Sequence, residues 1–120
     1  MSVKDKTKAL AIHCIDFRFQ KQIEKDLEKR GLLGQFDRIA WPGASRDFEN
    51  VSKASELSIK LHNPVFAIIY EHEDCGAYRE DNSPKTHRKN AQRLKTFLEG
   101  IKPGVKITTL MVTFEGIKKL

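Results

Sequence analysis

Apolar and polar positions fall into blocks along this chain, and the blocks carry two different periods. Residues 9–12 and 65–70 are short continuous apolar runs, the pattern of strands covered on both faces. Residues 36–41 predict a further strand, closed by Pro42 and Gly43, and residues 105–114 a last one after Pro103 and Gly104. Between them the period changes to that of a helix. Phe19, Ile23 and Leu27 recur every four residues over 18–30, with Gly31 supplying the left-handed residue that stops the helix. Asp47 is placed to cap a second helix whose predicted buried stripe is Phe48, Val51, Ala54, Leu57 and Leu61; Asn63 and Pro64 end it. A turn through Asp81 and Pro84 leads to a third helix, with Ala91, Leu94, Phe97, Leu98 and Ile101 turned inward.

The order is strand, helix, strand, helix, strand, helix, strand. This alternation predicts an α/β fold, three-layer and doubly wound: a mostly parallel four-stranded sheet of order 2-1-3-4 with helices on both faces. In that order the first and third strands are neighbours at the switch point, and ligands bind beyond their carboxyl ends. The 120 residues, 1–120, suit a single domain with one core. No apolar run reaches the length of a membrane span. The polar N-terminus has no secretory apolar stretch, so the expected setting is cytoplasmic, where thiols stay reduced.

Net charge is +6, which admits an anionic partner. The basic residues are dispersed, however. Lys21, Lys25, Lys29 and Arg30 interleave with Glu24, Asp26 and Glu28, as on a solvated helix face. Only the ends are locally basic, with Lys4, Lys6 and Lys8 at one and Lys118 and Lys119 at the other. The pattern argues against nucleic acid as a partner.

The chemistry sits in two strings, Cys14-Ile-Asp16-Phe-Arg18 and His72-Glu-Asp-Cys75, each at the end of a predicted central strand. Two thiolates and one imidazole make a Cys₂His set, the ligand type of a zinc site with its fourth position open. His72 and Cys75 are three residues apart, so a tight turn lets both face one ion, and Gly76 is suited to such a turn. Chance occurrences of H-x-x-C are common, and a buried thiol beside a satisfied histidine is the plainer account. Placement of both cysteines at the ends of central strands favours metal. Asp16 and Arg18, two apart, lie on one side of an extended chain and can form a bidentate pair. Asp16 then either accepts the proton of a metal-bound water or itself fills the fourth position; a purely structural ion pair is the third reading.

Other candidates carry less. His13-Cys14 opens like a cysteine-phosphatase loop, but position 20 is Gln where that loop needs Arg. His13 is expected to pack away from Cys14, and His62 and His87 to lie on solvated faces. A disulfide between Cys14 and Cys75 fits neighbouring strands but not a reducing compartment.

With C-x-D-x-R and H-x-x-C-G-A in place, the chain resembles the β-class carbonic anhydrases from about residue 9 to 78. The resemblance implies Cys14, His72 and Cys75 as zinc (Zn2+) ligands, and Asp16 and Arg18 as the dyad that orients or replaces a zinc-bound hydroxide. It places Gly43 and Ala44 in the turn lining the site, beside Phe17 and Gly76 of the substrate pocket. It implies hydration of carbon dioxide to bicarbonate, and a homodimer or higher homo-oligomer. Three positions depart from the family pattern: Phe17 replaces a small residue, Glu71 a glycine and Pro42 an asparagine. An apolar Phe17 also suits carbonyl sulfide or carbon disulfide hydrolysis, and a non-catalytic zinc-bound regulatory module is the reading from a different class.

Overall fold

The computed structural model describes residues 5–120; Lys4, counted above among the basic residues of the N-terminal end, lies outside them. Among the described residues five strands form one sheet of order β2-β1-β3-β4-β5. They are β1 Ala9–His13, β2 Phe36–Ala40, β3 Phe66–His72, β4 Lys106–Thr113 and β5 Gly116–Lys119. The first four run parallel in the expected order 2-1-3-4. The fifth is a correction to the four-stranded expectation. After β4 the chain turns back, Thr113 Oγ1 donating to the Gly116 carbonyl at 2.9 Å, and β5 pairs antiparallel with β4. Four residues carry too short a pattern to be read as a separate strand from the sequence.

Alternation along β1 divides the core. Ala9 and Ala11 face the layer of α1 (Gln20–Lys29), packed with Phe19, Ile23 and Leu27. Leu10 and Ile12 face the opposite layer, with α2 (Phe48–His62) and α3 (Pro84–Ile101). A 3-10 turn, Phe17–Phe19, leads into α1, so the regular helix starts two residues after the expected Arg18. Its end is a Schellman motif. Gly31, at φ +72°, donates to the Glu28 carbonyl, and Leu32 donates to that of Leu27.

The expected buried stripe of α2 is corrected in part. Asp47 does cap the helix, accepting from the Asn50 N–H at 3.3 Å, and Val51 is buried. The remaining buried positions are Ser52, Ser55 and Ser58, while Ala54, Leu57 and Leu61 are exposed. The serines can turn inward because their hydroxyls find partners within the helix or on the neighbouring β2. Ser55 donates to the Val51 carbonyl at 2.7 Å and Ser58 to Asp37 at 2.6 Å. In α3, Ala91, Leu94 and Leu98 are buried, with Phe97 and Ile101 partly so against the same core.

β5 is an edge strand, and exposed Lys118 and Lys119 discourage further pairing there. Folding also brings them beside Lys25 and Lys29 around a cleft of about 440 Å³, a clustering that linear spacing did not reveal.

Candidate metal centre

β1 and β3 are adjacent and parallel, so the residues leaving their carboxyl ends meet at one rim of the sheet. Cys14 follows β1 directly, and His72 is the last residue of β3. The chain then turns through Asp74, at φ +53°, to bring Cys75 back beside them. The Cys75 N–H is fixed by the Asn82 side chain at 2.8 Å. Cys14, His72 and Cys75 are all buried, and their ligand atoms lie within 4.8 Å of one another.

The donor set fits a zinc ion on three counts. The two Sγ atoms are 3.9 Å apart with no disulfide between them; two Zn–S bonds of about 2.3 Å at a tetrahedral angle span about 3.8 Å. His72 Nε2 is buried and has no hydrogen-bond partner among the described residues, a position that costs free energy unless something engages it. Its other nitrogen, Nδ1, donates to the Glu73 carbonyl at 2.7 Å, which leaves Nε2 as the lone-pair face. Phe19 stacks on the ring at 4.5 Å and holds its plane.

Charge is unevenly shared between the thiols. A hydrogen bond from Cys75 and contact with His72 hold the Cys14 thiol well below its ordinary range, despite burial. The Gly43 N–H adds a donor to Cys14 Sγ at 3.3 Å. Cys75 is pushed up by the Cys14 thiolate and by burial. Thiol ligands bind a metal deprotonated, so uptake of a cation here would release protons. For His72, burial disfavours the charged form, but Cys14 and the Glu73 carbonyl outweigh it and the pKa is raised.

Asp16 and Arg18 form the bidentate pair, though not on an extended chain: Asp16 caps the 3-10 turn Phe17–Phe19, which brings Arg18 back onto its carboxylate. Arg18 Nη2 donates to Asp16 Oδ2 at 2.7 Å and Nε to Oδ1 at 3.1 Å, while the Arg18 backbone N–H reaches Oδ1 at 3.0 Å. The guanidinium holds the Asp16 carboxyl down to about 2. Oδ2 lies 4.0 Å from His72 Nε2, on the edge of the triad. Arg18 is gripped from a second side by Asp74, through the carboxylate at 3.0 Å and the main-chain carbonyl at 2.8 Å. Sequence reasoning did not single out Asp74, because its role depends on the left-handed turn between His72 and Cys75.

The pocket residues divide. Phe17 and Gly76 line an open cleft of about 420 Å³ together with Ile15, Pro42 and Ala77, beside Cys14, Asp16 and Arg18. Gly43 and Ala44 sit behind Cys14, around a closed gap without room for water. Gly43 is the glycine that the backbone demands: at φ +77°, an added Cβ would lie 3.1 Å from that of Ala77. Gly76, expected to serve the turn, has neither a positive φ nor a close neighbour; the turn is made by Asp74 instead.

The histidines behave differently from one another. His13 is buried on the α1 face, donating from Nδ1 to the Cys14 carbonyl at 2.8 Å and accepting from Arg38 at 3.1 Å. Burial lowers its pKa, which suits that neutral tautomer. His62 is partly exposed and paired with Asp37 at 2.7 Å. His87, expected on a solvated face, is buried and bonded to Glu71 at 2.7 Å, because α3 packs that side against the sheet.

Comparison with known proteins accords with this geometry. A family model described as "Putative carbonic anhydrase" matches residues 4–118. An uncharacterized protein of Rickettsia bellii is 24% identical over 127 residues, covering 90% of this chain and 77% of its own. A second, from Rickettsia conorii, is also 24% identical, covering 90% and 68%. Among solved structures, the carbonic anhydrase of Streptococcus mutans superposes with a TM-score of 0.69 at 16% identity, over 99% of this chain and 84% of that one. That of Glaciozyma antarctica gives 0.65 at 16% identity, over 98% and 84%. The β-carbonic anhydrase of Aspergillus fumigatus gives 0.58 at 15% identity, over 97% and 76%. A fold shared at this level, a family match over nearly the whole chain and a buried Cys-His-Cys cluster make this chain a divergent member of the carbonic anhydrase family.

Proposed function

We propose that the chain is a zinc-dependent lyase that converts carbon dioxide and water to bicarbonate and a proton. The observation that carries this reading is the juxtaposition of the buried Cys14–His72–Cys75 triad with an ionised, arginine-held carboxylate at the mouth of a cleft. Zinc, when held by these three side chains, lowers the pKa of a bound water to about 7 and so supplies a nucleophile at neutral pH.

The chain's own residues do the rest. Asp16 Oδ2 accepts a hydrogen bond from the nucleophilic water and so aims its lone pair into the cleft. Arg18 keeps Asp16 ionised and fixes its plane, and Asp74 in turn fixes Arg18. Ile15, Phe17, Pro42 and Ala77 give the small apolar substrate a poorly hydrated wall. The zinc-loaded Asp16→Asn variant is expected to retain metal and lose about 10²-fold or more in kcat. Equal rates for parent and variant would remove Asp16 from the mechanism.

The apolar wall also favours a second reading, hydrolysis of carbonyl sulfide or carbon disulfide at the same centre. Sulfide release by zinc-loaded protein that does not accelerate carbon dioxide hydration would select it.

A further inference from the structure

Behind the triad lies a second buried polar cluster that the proposed chemistry does not use. Glu71 and His72 are consecutive on β3 and so face opposite sides of the sheet. His72 turns toward Phe19. Glu71 turns toward α3, where three donors meet its carboxylate. Ser45 Oγ donates to Oε2 at 2.5 Å, and Tyr78 OH and His87 Nδ1 donate to Oε1 at 2.6 and 2.7 Å. The Tyr78 ring stacks on His87 at 3.8 Å. All four residues are buried, and the Glu71 and His87 side chains are each 1% exposed.

A carboxylate so enclosed is tolerable only when its oxygens are engaged, and here they are. What matters is which segments the donors belong to. Ser45 lies in the 3-10 turn Ala44–Arg46, whose preceding residue, Gly43, places its N–H on Cys14 Sγ. Tyr78 closes the 3-10 turn Gly76–Tyr78, whose preceding residue is Cys75. His87 belongs to α3, which packs against the Ser45 turn and meets Tyr78 through the stacked His87 ring and Asn90. One side chain thus ties together the turn that touches one thiol and the turn that carries the other.

We infer that Glu71 is a positioning residue for the metal centre: its carboxylate locks the Ser45 and Tyr78 turns, and so sets where Cys75 and the Gly43 N–H stand relative to Cys14. This rests on the metal-binding part of the proposed function and not on the identity of the substrate. Outer residues that orient metal ligands influence affinity by about 10–100-fold.

The test is zinc affinity, read by competition with a chromophoric chelator, together with the visible spectrum of the cobalt-substituted protein. Both are measured on the parent, Glu71→Gln and Tyr78→Phe, with melting of the metal-free forms as a control for folding. An amide at position 71 turns an NH₂ group toward donors, whereas Tyr78→Phe removes the hydrogen bond to Glu71 and the one accepted from Asn90 at 3.2 Å, and keeps the stacked ring. Glu71→Gln is expected to bind zinc about 10–100-fold more weakly and to shift the cobalt bands, with Tyr78→Phe following in the same direction to a smaller extent. A purely structural role would lower melting and leave both metal readouts unchanged. Unchanged affinity and spectrum in the folded variants would overturn the inference, and Tyr78→Phe alone decides it if Glu71→Gln does not fold. A parent that takes up no zinc would sink this inference and the metal centre together. A parent that binds zinc without hydrating carbon dioxide would sink only the substrate reading, and the affinities would still decide the role of Glu71.

Discussion

Arg18 shows how much a single side chain organises here. Its guanidinium serves two carboxylates and a main-chain carbonyl, and it lies 5.4 Å from the ring centres of Phe19 and Phe114. The pair with Asp16 was expected on an extended chain and is made instead by the 3-10 turn that Asp16 caps; the grip of Asp74 was not legible, since it needs a left-handed residue that no local pattern announces. The pair has a pH signature. Asp16 titrates near 2 in the folded chain, below its ordinary value of 3.8. Its contribution to stability is therefore complete above about pH 4 and is lost as pH falls toward 2. Acid unfolding of the metal-free protein should show parent and Asp16→Asn separated by a constant margin above pH 4 that closes below it. A margin that persists unchanged to pH 2 would contradict the pairing.

At the scale of elements, the sequence was most readable where one face of a helix meets the sheet. Phe19, Ile23 and Leu27 of the first helical segment are buried as their spacing predicts. α2 was misread because its inward face is built from serines whose hydroxyls find partners within the fold, while Leu57 and Leu61 remain outside. Hydrophobic spacing cannot register such a face. His87 went the same way: its charged neighbours in sequence point outward, while its own side chain meets Glu71 across the core. The start of α3 is legible, with Ser83 accepting from the Thr86 N–H at 3.2 Å and Pro84 in the first turn. Ser83→Ala is expected to cost about 1 kcal/mol, read in denaturant unfolding as a lower midpoint at constant slope. An unchanged midpoint would mean that the cap contributes nothing.

Across the whole molecule, parallel pairing of β1 with β3 turns two strings 54 residues apart, ending at Arg18 and beginning at His72, into one centre. The order of the four parallel strands followed from alternation and crossover handedness; the antiparallel β5 did not, because a short hairpin leaves little periodic signal. Metal at such a centre stabilises only the folded chain. Free zinc at 100 times its Kd should therefore add about 2.7 kcal/mol, or about 10 °C in Tm at roughly 4 °C per kcal/mol. Chelation should reverse that gain in the parent and do nothing to Cys75→Ser. Equal Tm values for the parent with and without zinc would show that no metal is held.

The most direct test of the central claim is stopped-flow hydration of carbon dioxide by the zinc-loaded chain at mildly alkaline pH, with Cys75→Ser alongside. The account predicts acceleration above buffer in the parent that disappears with the thiol. A parent with zinc bound and no acceleration would contradict it.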